Sequence, residues 1–202
     1  MTAVLSDRAH DLVAATDGPC AALTALLATG GSAALPAGPG GHLLLPATAH
    51  PEGCRGVLAR IPTDDGELVA CRGPDHAVAP AGPAWTAGIA AIRLGLAERL
   101  LDRVTRHLRG RTVDGTVTLN LPMVRGLLAD AAAGLAEARV LLDGDTGADA
   151  LHRVHRALDG AGRICLHLFG AAGLLAGGPG ALVRVSELLA DTYPPPTDLG
   201  GS

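Results

Sequence analysis

A pair of long apolar stripes at helical spacing, joined by the loop Arg109-Gly-Arg-Thr-Val-Asp-Gly-Thr116, constrains this chain more than any other feature. Ile89, Ile92, Leu96, Leu100, Val104 and Leu108 recur at steps of three and four. Leu121, Val124, Leu128, Leu135, Ala138 and Leu142 repeat the pattern after the loop. A stripe of that length must be covered by another element, because most of a helix's stability in a protein comes from packing its apolar face. A third stripe, Leu151, Val154, Leu158, Ala161, Cys165 and Leu168, follows the turn Asp143-Gly-Asp-Thr-Gly147. A shorter fourth helix is expected from about Ala181 to Ala190, after Gly177-Gly-Pro-Gly180. Four helices with short connections predict an antiparallel, up-down bundle. Gly110 and Gly115 are expected to end the first helix and shape its loop, and Asn120 to cap the second, with Pro122 in its first turn.

Upstream the period changes. Residues 1–29 read as an N-terminal helical remnant, two short patterns between Leu5 and Ala28 broken at Asp17-Gly-Pro19. Residues 30–41, rich in Gly, Pro and Ala, read as a linker. Residues 42–82 hold short apolar runs separated by Pro51-Glu-Gly53 and Thr63-Asp-Asp-Gly66, which predicts a small, reduced β-module of antiparallel strands. The bundle occupies 83–192. The end, 193–202, with Pro194-Pro-Pro196, reads as a disordered tail. The fold class is mainly α.

With 202 residues, 48% of them hydrophobic, the chain can bury a sizeable core. It has one Trp, one Tyr and one Phe, so Ala, Leu, Val and Gly must fill that core, which suits closely packed helices. A net charge of -4 gives no electrostatic case for nucleic acid. Every basic residue is Arg, so lysine Schiff-base chemistry is excluded. Cys20, Cys54, Cys71 and Cys165 form no C-x-x-C pair and read as reduced, buried thiols. The first residues lack a signal-peptide pattern, and the longest apolar stretch, Ile164 to Ala176, is too short to span a bilayer, so a cytoplasmic protein without membrane association is expected.

Local constellations carry two readings each. Asp149, His152 and His155, at i, i+3 and i+6, have metal-site spacing but no further ligand, and a solvated face is favoured, with no metal expected. Glu98 and Asp102 among Arg99, Arg103 and Arg106 read as a salt-bridged surface rather than a paired-carboxylate site. The glycines from 170 to 180 lack a phosphate loop's G-K-[ST] and read as an interhelical connection.

The two long helices also carry family-like motifs. Gly95-Leu-Ala-Glu-Arg-Leu-Leu-Asp102 resembles the G-[IL]-A-x-x-A-L-D, Arg111-Thr-Val-Asp-Gly115 the R-x-x-F-G loop, Leu128-Ala-Asp130 the L-A-[DE], and Ala138-Arg139 the A-R ending of the acyl-CoA dehydrogenases. The four lie in register without a gap. His167-Leu-Phe-Gly170-Ala-Ala-Gly173 is similar to a degraded Q-x-x-G-G-x-G. The resemblance covers roughly the C-terminal half and implies that family's C-terminal four-helix bundle. Family members are about twice as long, with a helical and a barrel-like domain of which residues 1–82 could hold only remnants.

By the resemblance the protein is an FAD-dependent oxidoreductase acting on an acyl thioester. The implied cofactor residues are Arg111, Gly115 and His167: the family's Arg reaches a neighbouring subunit's flavin pyrophosphate, and His167 aligns loosely with its Gln. Arg111 is equally readable as a solvated loop residue, and His167 as a buried structural histidine. The family's Phe is replaced by Asp114. The family places its catalytic Glu either after the fourth bundle helix or early in the first. Here those places hold Thr192-Tyr-Pro-Pro-Pro196 and Trp85-Thr86, so the catalytic residue is unknown. A homo-oligomer, or a hetero-oligomer with a full-length family member, is implied. The alternatives are a non-catalytic interaction subunit and a cofactor-independent small-molecule enzyme of secondary metabolism.

Overall fold

The computed structural model describes residues 18–29, 34–49, 54–144, 147–175 and 177–195. Its elements in chain order are α1 (Pro19–Thr29), β1 (Leu35–Ala37), β2 (His42–Pro46), β3 (Arg55–Thr63), β4 (Gly66–Arg72), β5 (Val78–Pro80) and α2 (Pro83–Arg109). There follow β6 (Thr112–Val113), β7 (Thr116–Val117), α3 (Pro122–Asp143), α4 (Ala148–Phe169) and α5 (Gly180–Thr192). α2 to α5 are the four expected bundle helices, and the strands before them form the small β-module.

Three strands make an antiparallel sheet in the order β2-β4-β3, and β1 pairs β5 in parallel. β1 lies within the segment read as a linker. Leu35-Pro-Ala37 is extended because it has a partner: Leu35 faces Val78 and Ala37 faces Pro80. Pro36 is tolerated in so short a pair because a peripheral strand does not need every N–H. The helical remnant, as far as it is described, is α1. Its first turn is capped from outside: the Ala21 N–H donates to Asp65 Oδ2 at 2.8 Å, so the Thr63-to-Gly66 turn places a carboxylate on the helix's positive end.

The module and the bundle share one core. Leu23 and Leu26 of α1, Leu44 of β2 and Leu68 of β4 join Ile89, Leu96, Leu100, Leu135, Leu151 and Leu189 in a continuous cluster. α1 therefore sits between the sheet and α2. This explains why every residue from Trp85 to Ala97 is buried. The leading half of α2 has no solvent side, whereas its later turns and the other helices keep the one-sided pattern that their stripes predict. The outermost helix, α3, buries only Ala131, Leu135, Ala138 and Leu142.

Three local expectations are corrected. The tail is ordered at its start: Tyr193 is fully buried, accepts from the Leu44 N–H at 3.1 Å, donates to the Leu44 carbonyl, and meets Trp85 edge-on at 5.5 Å. The rest of that tail, from 196, lies outside the described residues. Removing the hydroxyl by Tyr193→Phe leaves the buried Leu44 N–H without its acceptor. A loss of roughly 1–2 kcal/mol in urea unfolding is expected, with no change in helix content by circular dichroism.

Asn120 does not cap α3. Its place is a 3-10 turn, and Leu121, extended at ψ 131°, is the N-cap without a side-chain bond. The residue before a proline avoids the helical region, so the helix starts only at Pro122. The α2–α3 loop, finally, is a two-residue hairpin. Asp114 (φ 48°) and Gly115 (φ 76°) both take positive φ, as a type I′ turn requires, and Asp-Gly is the pair that adopts it readily.

Candidate functional site

The two places where the family motif would carry its base come together in space. Trp85-Thr86 lies in the first turn of α2, and Tyr193-Pro-Pro195 follows α5. Thr86, Tyr193, Pro194 and Pro195 line one groove of about 600 Å³, closed on its other side by Ala37 to Gly41 and Val78 to Ala81. The β1–β5 pair exists to make that wall. The Gly38 backbone packs so closely on α5 that an added Cβ would lie 1.7 Å from the Thr192 carbonyl oxygen. The only side-chain polar atoms of the lining are hydroxyls, both engaged: Thr86 Oγ1 donates to the Pro83 carbonyl at 3.0 Å, and Tyr193 is bonded to Leu44. Burial raises the Tyr193 phenol above its ordinary range. The lining carries no carboxylate, imidazole or thiol. Nothing in it can take a proton from a bound thioester at neutral pH.

Arg111 and Gly115 stand far from this groove. Both are on the hairpin after α2, and the 24 residues from Trp85 to Arg109 put about 36 Å between the two ends of that helix. Arg111 is exposed, and its guanidinium lies 3.3 Å from His107 Nε2. The hairpin is held by the Arg111 carbonyl, which accepts from the Thr118 N–H at 2.8 Å and from its hydroxyl at 3.1 Å. Asp114 is there as the turn residue, one side of a positive-φ pair, rather than as a substitute for a ring. His167 is not the buried histidine preferred from sequence: it is exposed in the last turn of α4. The imidazole in contact with the core is His107, whose ring centre is 5.3 Å from that of Phe169. The hairpin's single guanidinium, with a carboxylate nearby, does not by itself make a site for a dinucleotide diphosphate, so one copy of the described residues does not fit a flavin alone.

Sequence reading missed the most unusual polar group. Arg93, 1% exposed in the buried half of α2, donates from Nε to Ser186 Oγ at 3.0 Å, and its two terminal nitrogens reach His155 Nδ1 and Asp159. Arginine only donates, so His155 Nδ1 accepts and the ring proton resides on Nε2, which has no partner among the described residues. Burial, then the Arg93 charge, pushes the His155 pKa down to about 3. Burial lowers the Arg93 pKa, opposed by Asp159 and then by Glu187 and Asp191. The group remains a cation. His155 thus leaves the face it shares by spacing with Asp149 and His152, both of which are exposed. The one signal in the sequence was an Arg at a position that also continues an apolar run. The remaining charges behave as surface pairs: Arg106 meets Asp102 at 2.7 Å, and Arg139 of α3 bridges to Glu98 of α2.

No helix of the described residues is long and apolar enough to cross a membrane. No family model matches the chain, and no curated protein matches it. Solved structures do. A protein named as an acyl-CoA dehydrogenase from Mycobacterium smegmatis superposes with a TM-score of 0.53 at 18% identity, over 70% of this chain and 46% of that one. A glutaryl-CoA dehydrogenase from Mycobacterium smegmatis in complex with FADH2 gives 0.52 at 16%, over 76% and 44%. The ChsE4–ChsE5 complex from Mycobacterium tuberculosis gives 0.52 at 16%, over 75% and 51%. The chain spans about half the length of the structures it matches. It has an acyl-CoA dehydrogenase-like C-terminal four-helix bundle, preceded by a small sheet module.

Proposed function

We propose that this chain, built on the acyl-CoA dehydrogenase fold, is a partner-dependent subunit of an FAD-dependent oxidoreductase acting on an acyl thioester. In this role it supplies Arg111 to a flavin held mainly by another chain and leaves proton abstraction to that partner. The convergence of Trp85-Thr86 and Tyr193-Pro194 on one groove carries the reading. The motif alignment and the geometry agree on where a base would stand, and no carboxylate is there. The span of α2 supports the second half, because a hairpin about 36 Å from the groove can meet an equivalent groove only across an interface. That one structurally similar assembly is a complex of two named chains, and that another was solved with FADH2, supports the choice of partner and cofactor. FAD, when bound, would accept the hydride; this chain's part is to fix the diphosphate by a planar guanidinium and to pack its bundle against the partner. The reading keeps the protein in a reducing, cytoplasmic compartment.

The test is flavin retention. The isolated chain, mixed with excess FAD and desalted, is expected to be colourless. Co-expressed with a full-length dehydrogenase from its own source, it should co-purify with flavin bands, and Arg111→Met should lower FAD affinity roughly tenfold through loss of a charged, bidentate contact. A complex whose flavin content ignores that substitution would identify a non-catalytic packing subunit instead. Flavin bands and acyl-CoA oxidation by the isolated chain would overturn both readings.

A further inference from the structure

The β-module brings two thiols together that nothing in the fold requires to be adjacent. Cys54 Sγ and Cys71 Sγ are 2.7 Å apart, about 0.7 Å beyond an S–S bond of about 2.05 Å. Chain irregularity produces this approach. In the regular part of the β3–β4 ladder Ile61 faces Leu68 and Ala59 faces Ala70, a register that continued would set Leu58 opposite Cys71. Cys54 would then stand four residues along, about 13 Å away. Instead the register shifts twice, between Arg55 and Val57 and between Val57 and Ala59. Gly56 turns at φ 73°, its N–H donating to the Cys54 carbonyl at 3.1 Å. That bulged turn folds Cys54 back onto Cys71.

The two sulfurs differ in access. Cys71 is fully buried on the sheet face it shares with Leu43, Leu45 and Val69, whereas Cys54 is half-buried. Burial, and then the neighbouring sulfur, pushes the Cys71 thiol up to about 12. Cys54 is therefore the thiol that a reagent reaches. The other two cysteines lack such a neighbour: Cys20 bonds to Thr63 Oγ1 at 3.4 Å, and Cys165 is buried among apolar side chains of the bundle.

We propose that Cys54 and Cys71 are a redox modification site, closing to an intramolecular disulfide by exchange with a low-molecular-weight disulfide. The Cys54 thiolate attacks one sulfur of the reagent RSSR, forming a mixed disulfide and releasing RS⁻. The Cys71 sulfur, deprotonated as it attacks, then displaces the second RS⁻ from Cys54. Two protein thiols are oxidised, one RSSR is reduced to two RSH, and the protons lost by the cysteines end on those products. The bridge pins the bulged start of β3, an edge strand that exposes Val57 and Leu58, to the central strand β4.

The test equilibrates the full chain with oxidised glutathione, quenches with acid, and alkylates the remaining thiols before peptide mapping. The expected product is about 2 Da lighter than the reduced chain, carries one crosslinked peptide pair containing Cys54 and Cys71, and alkylates only at Cys20 and Cys165. Its melting midpoint should rise by about 5–10 °C, since the closed loop is of a length whose crosslinking restricts the unfolded chain strongly. Cys54→Ser and Cys71→Ser should each abolish the crosslink. Four alkylated thiols, a stable glutathione adduct at Cys54, or a crosslink through Cys20 or Cys165 would each overturn the proposal. Each result is read on the wild-type chain, so it does not depend on whether a variant folds.

Discussion

Arg93→Ala is expected to lower the stability of this protein by roughly 3–5 kcal/mol, because it removes one partner from a buried charged network and leaves a cavity. The guanidinium holds Ser186 of α5 and both His155 and Asp159 of α4 from the centre of α2. Without it, His155 keeps two unpaired nitrogens in a site from which water is excluded, and α4 and α5 lose their common polar anchor. For a chain of this size, a drop in melting midpoint on the order of 10 °C should follow. The network is not thereby the best stabiliser of the bundle. The triple replacement Arg93→Met, His155→Leu and Asp159→Leu should recover most of the loss, since apolar groups of similar volume remove the burial cost of the charge. Thermal unfolding of the single and triple variants decides the matter. A single variant that loses less than about 1 kcal/mol would show that the cluster is adequately solvated.

Acid should unfold the protein earlier than its carboxylates alone would cause. His155 titrates at about 3 in the folded chain and at its ordinary 6.5 when unfolded. Between those values the unfolded state binds a proton that the folded state refuses. The neutral imidazole therefore costs nothing above pH 6.5, and stability falls as pH drops from 6.5 toward 3, by on the order of 4 kcal/mol over the whole window. The groups that face the ring set this direction: desolvation first, then Arg93 at hydrogen-bond distance, then His152 one turn earlier on α4. Urea midpoints of wild type and His155→Gln at pH 7, 6, 5 and 4 test it. The variant's curve should be distinctly flatter from pH 6.5 to 4. Parallel curves would place the acid sensitivity elsewhere.

Much of this architecture was legible because it depends on period. The stripes from Ile89 to Leu108, from Leu121 to Leu142 and from Leu151 to Leu168 mark helices whose buried residues fall where the stripes put them, since a helix packing one face needs apolar groups every three to four residues. The motif at Gly95, Arg111, Leu128 and Ala138 placed those helices in a known bundle, and the convergence of Trp85 with Tyr193 supports its register. What was missed depends on partners distant in the chain. Leu35-Pro-Ala37 looks like linker until Val78 to Pro80 lies beside it. Tyr193 looks like tail until its hydroxyl finds Leu44, which is 149 positions earlier. Asn120 was misread through a local rule alone, the restriction that Pro122 places on Leu121.

By itself the sequence determined the number, order and inward faces of the bundle helices, the small strand-rich segment before them, and the lack of a carboxylate at either motif position. Only the tertiary structure decided that those two positions share a groove, that Arg111 lies at the far end of α2, that Arg93 turns inward to His155 and Asp159, and that a bulge carries Cys54 to Cys71. The division has one physical cause. Apolar burial is non-directional and writes itself into the chain as periodicity, whereas a buried charge, a hydrogen bond or a thiol pair depends on where one particular distant atom comes to rest.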